Sequence, residues 1–196
     1  ALGALQEKPG NQHVLTLLHT GLTVANLTGD LKAAPSDFTQ VALFLQETMA
    51  VAVRSDSKFK NARDLVTHLK RDPSDVRFGY LGHHVLLSLA KPLKAAGVDI
   101  KRLTLAPFRS SAEAINALIG GFVDVVPAST PNLIGMLASG RVRLLAVSSP
   151  ARIGGVFASV PTWRGQGFDS SFNSVYGLLL PKGVSSESVQ IGRAHI

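Results

Sequence analysis

Residues 110–148, SSAEAINALIGGFVDVVPASTPNLIGMLASGRVRLLAVS, change periodicity three times. Ser110 stands three residues before Glu113, the spacing of a capping box, in which each side chain satisfies a first-turn amide. Ala114, Ile115, Leu118 and Ile119 then recur at helical spacing, and Gly120-Gly121 supplies the left-handed end. The apolar run 122–126 (FVDVV) predicts a strand. Thr130 before Pro131 predicts an N-cap and a first-turn proline, with Ile134 and Leu137 facing inward and Gly140 as terminator. Residues 143–148 (RLLAVS) predict another strand. Strands alternating with amphipathic helices imply parallel sheets covered on both faces.

The same alternation extends toward the N-terminus. Residues 85–96 predict a helix closed by Gly97, which Pro92 should kink or shift in its start. Residues 76–80 predict a strand running into Leu81-Gly82-His83-His84. Residues 61–70 place Leu65, Val66 and Leu69 on one helical face, and Asp72-Pro73 stops that helix. Residues 49–54 (MAVAVR) and 13–18 (HVLTLL) predict buried parallel strands, the latter running into a loop at His19-Thr20-Gly21. No internal repeat or low-complexity stretch interrupts the pattern.

Composition narrows the function classes. The 196 residues are 45% hydrophobic and 17% charged, a globular balance. No apolar run approaches the ~18 residues of a membrane span; the richest, 41–53, is interrupted by Gln46, Glu47 and Thr48. No basic segment followed by an apolar core and cleavage site marks a leader, so the chain is cytoplasmic or its signal lies elsewhere. The net charge of +7 invites a nucleic-acid reading, but Lys and Arg are scattered and aromatics are scarce, so no nucleic-acid partner is expected. The absence of Cys excludes disulfides, thiolate metal sites and a cysteine nucleophile.

In open parallel sheets, ligands bind beyond the carboxyl ends of strands, where helix N-termini present amides and a positive dipole end. Three segments hold that position: Thr20-Gly21-Leu22-Thr23, Leu81-Gly82-His83-His84 and Ala128-Ser129-Thr130. Small and hydroxyl residues beside backbone donors suit a carboxylate or phosphate. The same residues serve equally as ordinary caps and turns. For an enzyme, the histidine pair could supply a base and Asp124 an orienter, but no G-x-S-x-G elbow accompanies them. Adjacent histidines diverge on an extended chain and lack a partner at ligand spacing, so no metal is expected. His13, His19 and His68 read as surface or hydrogen-bonded structural residues, and Arg109 as a solvated loop charge rather than an anion site.

The order of motifs resembles the solute-binding proteins of tripartite tricarboxylate transporters, the Bug family, over residues 4–189. The matching pieces are Lys8-Pro9-Gly10, Asp37-Phe38-Thr39, Arg54-Ser55-Asp56-Ser57 leading to Phe59-Lys60-Asn61-Ala62-Arg63-Asp64-Leu65, and Ala96-Gly97-Val98-Asp99. Then come Pro107-Phe108-Arg109-Ser110, Leu118-Ile119-Gly120-Gly121-Phe122-Val123-Asp124, residues 139–147 (SGRVRLLAV) and residues 160–167 (VPTWRGQG). The resemblance implies an α/β, two-lobed periplasmic-binding-protein fold of type II (Venus flytrap), each lobe a mostly parallel sheet flanked by helices. Lobe I would comprise residues 1–55 and 177–196, and lobe II residues 56–176, with crossings near 53–55 and 177–180.

It further implies capture of a small carboxylate in a cleft between lobes, without catalysis or cofactor, in the periplasm, for membrane permease subunits, by a protein monomeric when complete. Thr20, Gly21 and Thr23 of lobe I, with Gly82, His83, His84, Ser129 and Thr130 of lobe II, would hold that ligand. The alternatives are the ligand-sensing effector domain of a regulator, which shares the two-lobed fold, and a hydrolytic enzyme.

Departures from the family concern the pocket. Residues 81–84 are shorter than the usual Gly/Ser- or Asn-rich loop. Ala128 replaces a frequent Asp, implying a ligand without an amino group; Ser174-Val175-Tyr176 replaces Asn-Trp-Arg and Gly165 replaces Glu. The family's first strand with its glycine-rich loop would precede Ala1, and further helices would follow Gln190. Residues 191–196 (IGRAHI) match nothing in the family and read like translated adapter DNA. The expectation is a chain truncated at both ends, with an upstream signal peptide and a first lobe whose apolar surface is partly uncovered.

Overall fold

The computed structural model describes residues 5–195; positions 4 and 196, which bound the expected resemblance and the terminal hexapeptide, lie outside them. The chain forms two compact units. One takes the residues up to Gln46 and those from Ser174 on, and the other is Glu47–Asn173.

The second unit is built around the latter half of β2 (Thr39–Arg54), whose neighbours are β5 (Val126–Ser129) and β6 (Val142–Val147). β2 runs antiparallel to both, pairing Ala52 with Val126 and Arg54 with Val142, with a register shift between Val51 and Ala52. The other pairings are parallel: β3 (Arg77–Tyr80) with β4 (Thr104–Pro107), Phe78 with Val125, and Val147 with Thr162. β3, β4, β5 and β6 thus run one way and β2 the other, with β3 and β4 forming a two-stranded sheet of their own and β2 pairing antiparallel with both β5 and β6, a reversal that strand–helix alternation alone does not reveal.

Alternate residues of β2 serve different cores, as the two-residue period of a strand requires. Val51 and Val53 pack with Leu65 and Leu69 of α2 (Ala62–Arg71), Leu89 and Leu93 of α3 (Gly82–Ala95), Phe78 and Trp163. Ala50 and Ala52 pack with Ala114, Ile115 and Leu118 of α4 (Ser111–Ile119) and Leu133 of α5 (Thr130–Ala138). Both faces of the sheet are therefore covered.

Local chemistry fixes the helix ends. The Asn61 side chain accepts from Asp64 N–H at 2.9 Å, and Asp64 Oδ2 accepts from Lys60 N–H at 2.8 Å. Ser110 accepts from Glu113 N–H at 3.1 Å, while the Glu113 carboxylate accepts from Arg109 N–H rather than from the N-cap amide. Gly121 (φ 75°) and Gly140 (φ 66°) take the left-handed ends.

Other expectations need correction. The 122–126 run is not a strand: Phe122 is 74% exposed, and β5 begins at Val126. Ser129, not Thr130, is the N-cap of α5; Thr130 and Leu133 are buried and Leu137 packs partly buried against the same core as expected, whereas Ile134 is exposed. α3 starts at Gly82 and continues through Pro92, which is buried inside it. The ring removes one amide, and the helix resumes with Ala96 N–H donating to Pro92 C=O at 2.9 Å.

In the first unit β1 (Thr16–His19) pairs antiparallel with β7 (Asn173–Leu180), which lies beside β2. β1 was expected to be buried and parallel; it lies at the end of the strand order, and Leu17 is exposed. No loop follows it, because α1 (Thr20–Thr28) begins at once. Leu5, Leu18, Ala33, Phe38 and Leu179 form a small core, while Leu15, Leu17, Leu43, Phe44 and Leu45 are exposed. Residues 191–194 extend α6 (Ser186–Ala194), and Arg193 Nε donates to Val41 C=O at 2.8 Å.

Candidate functional site

In the second unit, β3 and β5 run in the same direction, so their carboxyl ends open on one edge. α3 follows β3 through Leu81, α5 follows β5 directly, and α3 packs against β5. Gly82, His83 and His84 thus form the first turn of α3. Gly82 has φ 66°, and a Cβ there would lie 3.2 Å from His84 Nδ1, so a side chain would be strained by backbone and space alike. The His83 ring lies 6.3 Å from that of Tyr80. Ser129 and Thr130 are buried, and Ser129 Oγ accepts from Asn132 Nδ2 at 2.9 Å. Asn132 holds that hydroxyl from one turn onward, a partner the sequence did not single out.

In the first unit, Thr20, Gly21 and Thr23 lie in the first turns of α1. Thr20 Oγ1 accepts from Val175 N–H of β7 at 2.8 Å, which ties the start of α1 to the sheet. The N-cap is His19, whose Nδ1 accepts from Gly21 N–H at 3.1 Å. Its ring lies 6.2 Å from that of Tyr176, its partner in the β1–β7 register. Partial burial lowers the His19 pKa below its ordinary 6.5. Helix geometry leaves the Thr20 and Leu22 amides without intrahelical acceptors, as it does the Gly82–His84 amides of α3. Such amides at the positive end of a helix suit an anion.

One cavity of the second unit lies elsewhere. About 430 Å³ in volume, it is lined by Arg54, Lys58, Asp75, Arg77 and Asp124 among others, at the amino end of β3. Its cations already face carboxylates. Arg54 pairs with Asp56, Lys58 with Asp75 at 3.6 Å, and Arg77 with Asp124 through two bonds of 2.8 and 2.9 Å. These hydrogen bonds hold the Asp56 and Asp124 carboxyls below the usual carboxylate range. Asp124 N–H in turn donates to Arg77 C=O at 2.8 Å, so Asp124 locks the approach to β5 onto β3 and is structural, not an orienter for His84. A carboxylate entering here would have to displace pairs already made.

Among the described residues no cluster of three or more His, Cys, Asp or Glu could hold a metal. No described helix is long and apolar enough to cross a membrane. Residues 160–167 are explained by packing. Gln166 is buried, its Oε1 accepts from Ala62 N–H at 2.8 Å, and its Nε2 donates to Leu145 C=O at 2.9 Å.

The model of the family described as "Tripartite tricarboxylate transporter family receptor" (TctC) matches residues 9–192. A UPF0065 protein of Agrobacterium vitis is 32% identical over 86% of this chain and 49% of its own length. Another, from Bordetella bronchiseptica, is 31% identical over 96% of the chain and 56% of its own length. The chain spans about half the length of the curated relatives it matches. Among solved structures, a TctC solute-binding protein from Polaromonas superposes with a TM-score of 0.76 at 25% identity, over 98% of this chain and 66% of that one. MatC of Rhodopseudomonas palustris, solved with bound malate, gives 0.79 at 23% identity, over 96% of this chain and 65% of that one.

Proposed function

Because the chain belongs to the TctC family of tripartite tricarboxylate transporter receptors, we propose that it is the receptor polypeptide, or a large part of one, that captures a small organic carboxylate. The observation that carries this is the carboxyl edge of the second unit, where the first turns of α3 and α5 open beside each other. Gly82, His83 and His84 with Ser129 and Thr130 supply its amides and hydroxyls, and Thr20, Gly21 and Thr23 supply those of the first unit. Malate on MatC and adipate on a second protein of the same fold support this ligand class. We take the two units as the two lobes, here divided within β2 and near the start of β7.

A receptor of this kind holds its ligand without reacting with it, and its partners are the ligand and the permease subunits that take delivery. The setting is the periplasm, as named for a structural relative, and the functional form is a monomer. Isothermal titration with malate, adipate and citrate tests the reading. Saturable binding of at least one, weakened by Gly82→Val, is expected. Heat of dilution alone for all three would overturn it.

A further inference from the structure

His19 is an unusual N-cap. Ser, Thr, Asp and Asn hold an acceptor oxygen at neutral pH, whereas an imidazole nitrogen accepts only while it carries no proton. The His19 backbone is extended (φ −143°, ψ 157°), as an N-cap requires, and its Nδ1 accepts from Gly21 N–H at 3.1 Å. The proton of the neutral ring therefore sits on Nε2. Protonation at Nδ1 would turn one hydrogen bond into two opposed donors. It would also place a full positive charge against the positive end of the α1 dipole.

The first turn of α1 itself carries no acidic residue. Tyr176 packs against the imidazole from β7, with the ring centroids 6.2 Å apart. Asp30 lies beyond the far end of α1, where its carboxylate accepts from Thr28 Oγ1 at 2.7 Å. Partial burial works in the same sense, because it disfavours the imidazolium.

We propose that His19 is a pH-sensitive positioning residue that holds the first turn of α1, and with it Thr20, Gly21 and Thr23, only while its imidazole is neutral. Protonation releases the Gly21 amide and loosens the turn. On the reading of these residues as part of the carboxylate site, on which this second consequence rests, acidification weakens ligand capture. A receptor so built binds at neutral pH and loses grip on its anion in an acidic medium.

The test is a ¹⁵N-resolved pH titration of the chain and of His19→Asn and His19→Ala. In the unaltered chain, His19 Nδ1 should give the shift of an unprotonated acceptor at pH 7.5. Exchange protection of the Gly21 amide, corrected for intrinsic rate, should fall as pH drops from 7.5 to 4.5, a span that reaches well below the ordinary histidine value. His19→Asn, whose amide oxygen accepts at every pH, should keep that protection throughout, and His19→Ala should lack it at both. Malate affinity, measured on the same samples, should fall about fivefold more between pH 7.5 and 4.5 in the unaltered chain than in His19→Asn, the scale of one lost N-cap bond. A protonated Nδ1 at pH 7.5, or the same Gly21 profile in His19→Asn as in the unaltered chain, would overturn the proposal. Malate binding to no form at any pH, beside the expected Gly21 profiles, would leave the switch standing and remove the carboxylate reading.

Discussion

At the scale of single residues, the structural assignments are testable by stability. Arg77 and Asp124 are joined by two side-chain bonds and both are partly exposed. Solvent screens the pair, so its contribution is modest. Asp124→Asn should lower the denaturant midpoint accordingly. Its carboxyl lies below the ordinary 3.8 in the folded chain, so its contribution is present above that value and lost as pH falls through the lower, folded one. The acid-unfolding profile of Asp124→Asn should therefore be flatter below pH 4 than that of the unaltered chain. Gly79 is a matter of space: a Cβ would lie 2.9 Å from the Phe108 ring and 3.1 Å from Val123. Gly79→Ala should cost about 1–3 kcal/mol, the range for overpacking, read from urea midpoints.

Elements were legible wherever their ends carried their own chemistry. α2 and α4 start and stop where Asn61, Ser110 and the following breakers place them, because those signals act within one turn. Elements whose limits depend on distant partners were not. Phe122 looked like the start of a strand by hydropathy, yet the pairing that makes a strand begins at Val125, through Phe78. α3 starts at Gly82 because that residue alone can hold φ 66° there, a requirement invisible before the backbone is traced. The positions of the candidate segments, at strand ends, followed from alternation. What their hydroxyls do, Thr20 to Val175 and Ser129 to Asn132, did not, since tertiary placement or a one-turn return sets it. Gln166 joins α2 to β6 through buried bonds. Gln166→Ala should strand the Ala62 amide and the Leu145 carbonyl and cost about 2–3 kcal/mol, measurable by chemical denaturation.

For the whole molecule, the two units differ in how much they bury. The second has two cores, one on each face of its sheet, and the first has a small core and several exposed leucines. Protection against hydrogen exchange follows buried apolar contact. Amides of β2 beyond Glu47, β5 and β6 should therefore outlast those of β1 and α1, and equal protection in both units would contradict this ordering. The central claim is that the carboxyl-edge amides hold a carboxylate. It is tested most directly by thermal shift of the chain with matched pairs of dicarboxylates and their diamides, such as succinate and succinamide or adipate and adipamide. A ligand at about 100 times its Kd stabilises by about 2.7 kcal/mol. At least one dicarboxylate should raise the melting temperature by several degrees while its diamide leaves it unchanged. Equal shifts for acid and amide, or none with any carboxylate, would contradict the account.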